Sequence, residues 1–150
     1  MIGSAEFSPL TEAIQLAVAP VFLLTGVAGM LNALGTRLAR VIDRARHLQS
    51  ISERLEAGNL QKRAQIDDEL RSLQVRGRVI NWATALMVVC AVLIGLTVME
   101  LFYSAGMAGR LQLSKWVSVT FLGGFGAFIT ACLLYLAEIL IASQSVRIGR

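Results

Sequence analysis

Glu138 is the residue of this chain with the clearest potential for chemistry, because its carboxyl group directly follows a long apolar stretch. A charged side chain at the centre of a membrane costs about 2.5–3.5 kcal/mol and usually has a function. Uncharged residues 139–142 follow Glu138, so we predict that it lies about one helical turn inside a membrane surface. Arg37, Arg40 and Arg78 lie at a comparable depth and are its candidate partners. Glu138 could take part in ion conduction. The alternative is that it is only paired or hydrated at the membrane surface.

Other polar residues within apolar sequence could extend an ion path from Glu138. Glu100 is predicted at the opposite membrane surface, either hydrated or paired with Lys115 or Arg110. The asparagines near the helix ends could instead hydrogen-bond between helices, and a proline kink could serve packing alone. The candidates for an ion pathway are Glu138, Glu100, Pro20, Thr25, Asn32 and Asn81.

The most unusual local sequence is the arginine-rich run at residues 37–47. Along a helix Asp43 can reach Arg40, Arg46 and His47, forming a charge cluster just outside the bilayer. Such a cluster could hold anionic lipid headgroups or a phosphate-bearing ligand. The residues predicted to make this contact are Arg37, Arg40 and Arg44. The alternative is a topology signal on a solvated helix face.

The sequence contains no recognisable catalytic or metal-binding motif. It has no glycine-rich phosphate loop, no Ser/His/Asp or Cys/His set and no paired carboxylates of a soluble pocket. His47 is predicted to lie on a helix surface, and Cys90 and Cys132 are predicted to be free thiols that behave as small apolar groups. We therefore predict a non-enzymatic protein with no catalytic residue, no metal and no cofactor.

Three uncharged apolar stretches, at residues 13–36, 79–99 and 116–137, must position these groups. A hydrocarbon core about 30 Å thick needs roughly 20 helical residues to cross it. The chain has 55% hydrophobic residues and a mean hydropathy of +0.64. We therefore predict an all-α integral membrane protein. Its three transmembrane helices are predicted at residues 13–36, 79–103 and 116–142.

The segment between the first two spans, residues 37–78, keeps a helical spacing of apolar residues but becomes amphipathic. Ala57, Gly58 and Asn59 indicate a helix end, because Gly and Asn tolerate the left-handed conformation. Two helices joined by so short a turn form an antiparallel hairpin. The first span is predicted to continue into this hairpin, as a cytoplasmic coiled coil.

Charge placement predicts the orientation. Ten of the fourteen Lys and Arg residues lie within residues 37–78, and basic residues concentrate on the cytoplasmic side of membrane proteins. The prediction is a periplasmic N-terminus at residues 1–12, a cytoplasmic hairpin, a periplasmic loop at 104–115 and a basic cytoplasmic tail at 143–150. The net charge of +4 and the pI of about 9.7 thus reflect orientation and not nucleic-acid binding.

Small residues recur at intervals of four in all three spans, a pattern that lets helices approach closely. Three spans of this kind offer little lateral shielding for a polar path, and a hairpin with apolar faces favours self-association. We therefore predict a homo-oligomer. The residues predicted to pack between its copies are Gly29, Ala33, Gly95, Gly123, Ala127 and Ala131.

Residues 19–26 (APVFLLTG), Leu31 with Asn32, and residues 37–46 (RLARVIDRAR) resemble a family of small bacterial inner-membrane proteins known only as a domain of unknown function. The likeness covers nearly the whole chain. It implies a bacterial plasma-membrane location and three spans, but no activity and no functional residues. In topology alone the chain is also similar to proton-channel subunits and to small insertase-like proteins, whose sequence motifs are not evident here.

Two functions fit these predictions. The first is an oligomeric channel or ion-conducting pore with Glu138 and the arginine cluster at its inner mouth. The alternative is a non-conducting scaffold or assembly factor whose hairpin docks a cytoplasmic or membrane partner.

Overall fold

The computed structural model describes residues 9–54, 60–108 and 115–147, and these residues form three α-helices. Helix α1 is Pro9–Arg54, α2 is Leu60–Ala108 and α3 is Lys115–Arg147. All three are long and apolar enough to cross a membrane. The predicted all-α class and the three membrane-capable helices are confirmed, and the chain is a membrane protein.

Two of the helices are much longer than a bilayer requires. With 46 residues in α1 and 49 in α2, their lengths are about 69 and 74 Å at 1.5 Å per residue. The hydrocarbon core takes up only about 30 Å of each. The remainder is the amphipathic, arginine-rich sequence, so α1 and α2 continue well beyond their apolar stretches without a break. Pro20 lies inside α1 and does not end it.

Burial recurs every seven residues along each helix, the spacing expected where one face of a helix packs against neighbouring helices. In α1 the buried series is Ala13, Pro20, Val27, Leu34, Val41 and Leu48. In α2 it is Ile66, Leu73, Ile80, Met87, Ile94 and Leu101. In α3 it is Val117, Gly124, Ala131 and Glu138. A carboxylate therefore occupies the last position of a series that is otherwise apolar.

The chain divides into two compact units, and each contains a segment of every helix. Unit 1 consists of Met1–Met30 and Leu86–Ile129. Its core includes Ala17, Leu101 and Val117, with Val98 packed against them. Gly124 lets α3 approach α2 closely, because a Cβ atom there would lie 2.9 Å from Ile94 Cδ1.

Unit 2 consists of Leu31–Ala85 and Thr130–Arg150. Its segments of α1 and α2 run antiparallel. Val41 faces Gly77, whereas Arg44, which comes later in α1, pairs with Glu69, which comes earlier in α2. The predicted turn at Ala57, Gly58 and Asn59 lies outside the described residues, as do residues 1–8, 109–114 and 148–150.

The outward-facing surfaces of the apolar helices carry large hydrophobic side chains. Phe22 is 72% exposed, Leu122 is 71% exposed and Leu133 is 61% exposed. Apolar side chains of this size are stable on a surface that contacts lipid. These faces therefore suit a lipid environment.

Candidate functional site

Glu138 accepts charge-assisted hydrogen bonds from two arginines of unit 2. Arg37 Nη1 lies 2.6 Å from Glu138 Oε2. Arg76 donates from Nε at 3.1 Å and from Nη2 at 2.9 Å, both to Glu138 Oε1. Each of the three residues comes from a different helix. We call this group the ion triad.

The local sequence explains why α3 can bring a carboxylate to this place. Glu138 follows Ala131 by seven residues and continues its buried series, so the helix turns it toward α1 and α2. On α1, Arg37 comes one turn after the buried Leu34, and on α2, Arg76 comes one turn after the buried Leu73. Both arginines therefore lie at the margin of the packed face, where a long side chain can reach a central carboxylate.

Burial makes the triad energetically demanding. The Glu138 side chain is 1% exposed, whereas the side chain of Arg37 is 37% exposed and that of Arg76 is 21% exposed. A buried carboxylate without partners would lose its hydration without compensation. Here each carboxylate oxygen accepts from a guanidinium group, which offsets that loss. The Arg37 guanidinium also lies over the Tyr135 ring, 5.1 Å from its centroid, a favourable cation–π arrangement.

A cavity of about 310 Å³ opens beside the triad. It is lined by Arg37, Arg40, Val41, Arg44, Leu73, Arg76 and Glu138. We call it the arginine cavity. Arg44 at its rim forms an ion pair with Glu69 at 2.8 Å, and both of these side chains are largely exposed. Four guanidinium groups and one carboxylate among the lining residues give the cavity an excess of positive charge.

A second polar group lies in unit 1, on neighbouring faces of α2 and α3. The Thr120 hydroxyl is 3.0 Å from Thr97 Oγ1 and 3.1 Å from Glu100 Oε2. Thr97 is 2% exposed, so this hydrogen bond is made away from solvent. Glu100 thus has a hydroxyl partner on α3, while Lys115 is exposed and the predicted alternative partner Arg110 lies outside the described residues.

The six candidates for an ion pathway are divided between the units and differ in exposure. Glu100, Pro20 and Thr25 belong to unit 1, where Pro20 is buried and Thr25 is exposed. Glu138, Asn32 and Asn81 belong to unit 2, where both asparagines are exposed.

The small residues predicted to pack between copies have different surroundings. Gly29 and Gly95 have no atom within 4 Å of an added Cβ. Ala131 is fully buried within the chain, so it packs between its own helices. Gly123 lies near Leu93 and is exposed, and Ala33 and Ala127 are half-buried.

Two of the ion-pair partnerships were not predicted from the sequence. Arg37 was among the candidate partners of Glu138, but Arg76 was not, and the cluster around Asp43 did not anticipate the pairing of Arg44 with Glu69. The signal for Arg76 was its place one turn after Leu73, in a series of apolar residues seven apart. Across the described ranges, no three His, Cys, Asp or Glu side chains gather where they could hold a metal ion.

Comparison with known proteins identifies one family. Residues 17–148 match the family described as "Protein of unknown function (DUF2721)". The chain belongs to this family. The match confirms the resemblance that the motif at residues 19–46 predicted, and it includes every residue of the ion triad and the arginine cavity. No curated protein and no solved structure matches the chain.

Proposed function

We propose that this member of the family is a non-conducting membrane scaffold or assembly factor. The observation that carries the proposal is the ion triad. A carboxylate that is 1% exposed and hydrogen-bonded to two guanidinium groups is engaged in holding α1, α2 and α3 together within unit 2. Its side chain is almost completely covered by these partners and by the packed helices. The strongest polar group within the apolar sequence therefore acts as a structural clamp.

The charged ends of α1 and α2 are the proposed docking elements. Over residues 40–54 and 61–72 most side chains are exposed, and they include charges of both signs. A surface with alternating charges suits recognition of a protein partner by electrostatic complementarity. Because residues 37–78, which include these segments, carry ten of the fourteen Lys and Arg residues, we propose that they lie in the cytoplasm of a bacterium and that the chain lies in its plasma membrane.

Ion flux through proteoliposomes tests the scaffold against a pore. The purified chain is reconstituted and assayed for K⁺ and H⁺ flux beside the Glu138→Ala variant, with a known ionophore as the positive control. The scaffold predicts no flux above empty liposomes for either protein. Flux through the wild-type chain that the substitution abolishes would refute the scaffold and support the pore.

A pore is the second candidate, and its specific support is polar surface on the apolar helices. Thr25 in unit 1, and Asn32 and Asn81 in unit 2, are exposed although they lie in or beside apolar stretches. In an oligomer such side chains could line a path between copies. Unlike the buried Glu138 carboxylate, they need no rearrangement to contact water.

We also propose that the chain forms a homo-oligomer. The supporting observation is the open space at Gly29 and Gly95, which leaves room for a neighbouring helix to approach the backbone. Mass measurement in lipid nanodiscs tests this proposal. A monomer as the sole species would contradict it, while leaving the scaffold function to be decided by the flux experiment.

A further inference from the structure

The arginine cavity contains more guanidinium groups than there are carboxylates paired with them. Glu138 is shared by Arg37 and Arg76, and Glu69 pairs with Arg44. None of the ion pairs among the described residues involves Arg40, which also lines the cavity. Guanidinium groups stay protonated at any physiological pH. The cavity therefore has an uncompensated positive charge and is suited to an anion.

The arrangement of the arginines indicates which anion. Arg37, Arg40 and Arg44 follow one another at intervals of three and four along α1, so they share one face of the helix. Arg76 approaches from α2. Donors that converge from two helices match an acceptor with several oxygens in different directions, and arginine forks pair well with phosphate oxygens. A cavity of about 310 Å³ is large enough for a phosphate group and the atoms joined to it.

The position of the cavity along the chain indicates where the anion lies. The first apolar stretch ends directly before Arg37, the second begins directly after Arg78, and the third ends directly before Glu138. The triad joins Arg37, Arg76 and Glu138. In unit 2 the apolar sequence of α1 and α2 thus gives way to charged sequence beside this cavity, and α3 places its buried carboxylate there. Lipid phosphates occupy this zone, at the edge of the hydrocarbon core.

We infer that the arginine cavity is a phosphate-binding site at the membrane surface, filled by the phosphate of an anionic phospholipid headgroup or by a soluble phosphate. Glu138 orients Arg37 and Arg76 and does not compete for Arg40. The inference rests on the charges and shape of unit 2 and is independent of whether the protein conducts ions or docks a partner.

Binding of defined probes to the purified chain tests the inference. In the first arm, dissociation constants for phosphatidylglycerol and phosphatidylcholine are measured by native mass spectrometry in detergent. In the second, inorganic phosphate and glycerol phosphate are titrated in detergent free of lipid. Each arm compares the wild-type chain with Arg40→Gln and Arg46→Gln. Both variants remove one exposed arginine from α1, but Arg46 does not line the cavity.

The loss of one charge-assisted hydrogen bond predicts at least about tenfold weaker binding for Arg40→Gln. Arg46→Gln should remain within about twofold of the wild-type chain, since distant surface charges are screened. If Arg40→Gln alone weakens lipid binding in the first arm, the bound group is a lipid phosphate. If Arg40→Gln alone weakens binding of inorganic phosphate or glycerol phosphate in the second arm, it is a soluble phosphate. Equal effects of the two variants, or no saturable binding in either arm, would overturn the inference.

Discussion

Two glycines of α3 that are two residues apart provide a sharp test of the packing in unit 1. At Gly124 an added Cβ would lie 2.9 Å from Ile94 Cδ1, 3.2 Å from Ile94 Cγ1 and 3.3 Å from Leu93 Cβ. At Gly126 no atom lies within 4 Å of an added Cβ. Gly124→Ala and Gly126→Ala therefore introduce the same methyl group into the same helix, against a tight contact in one case and open space in the other.

The comparison isolates the cost of the contact. Both substitutions gain the same helix propensity, about 1 kcal/mol in water, so that gain cancels between them. The Ile94 side chain could rotate away, but it is fully buried, and Leu93 Cβ is fixed to the backbone. Overpacking a closely packed core costs about 1–3 kcal/mol. We expect Gly124→Ala to be less stable than Gly126→Ala by that amount.

Unfolding in mixed micelles with increasing dodecyl sulfate, followed by tryptophan fluorescence, measures this difference. A difference of about 2 kcal/mol corresponds to roughly a thirtyfold change in the unfolding equilibrium constant. Equal stabilities within about 0.5 kcal/mol, or a larger loss for Gly126→Ala, would refute the close approach of α2 and α3 at Gly124.

Three further results are expected. Thr120→Val removes the hydroxyl between Thr97 and Glu100 and should lower the free energy of unfolding by about 0.6–1.7 kcal/mol. Thr25→Val on an exposed face should leave the free energy of unfolding nearly unchanged, and equal losses for the two variants in the same micelle assay would contradict this. Glu69→Gln breaks an exposed ion pair and should cost at most about 1 kcal/mol; a larger loss would mean that the pair is buried. In folded protein a membrane-permeable maleimide should label the half-buried Cys132 faster than the buried Cys90, and mass spectrometry of the peptides would show the reverse order if this packing is wrong.

The fold was largely predictable because hydrophobicity and helix length determine it. The three apolar stretches predicted α1, α2 and α3, and the amphipathic spacing after Arg37 predicted that α1 continues beyond the membrane. The orientation and the number of chains in an assembly depend on a membrane and on neighbouring copies, so they stay predictions.

The site was predictable only in part, because its geometry depends on packing between helices. Glu138 was predictable as a charge beside apolar sequence. Depth along the helix gave Arg37, Arg40 and Arg78 as its candidate partners, and of these Arg37 makes the contact. On α2 depth gave Arg78, whereas the partner is Arg76, which lies at nearly the same level. The choice depends on which face of α2 points inward, and the seven-residue spacing of Ile66, Leu73 and Ile80 contains that information. Reading that spacing from the sequence would have favoured Arg76.

The central claim is that Glu138 clamps the helices of unit 2 together through its arginines, and a double-mutant cycle tests it most directly. The free energy of unfolding is measured in the micelle assay for Glu138→Gln, Arg76→Gln and the double variant. Glu69→Gln, Arg44→Gln and their double variant form the exposed reference cycle. Breaking a buried pair costs about 3–5 kcal/mol. Because Arg76 is 21% exposed and hydrated in part, we expect a coupling of about 2 kcal/mol, against about 0–1 kcal/mol for the reference. A Glu138–Arg76 coupling no larger than that of Glu69–Arg44 would contradict the clamp.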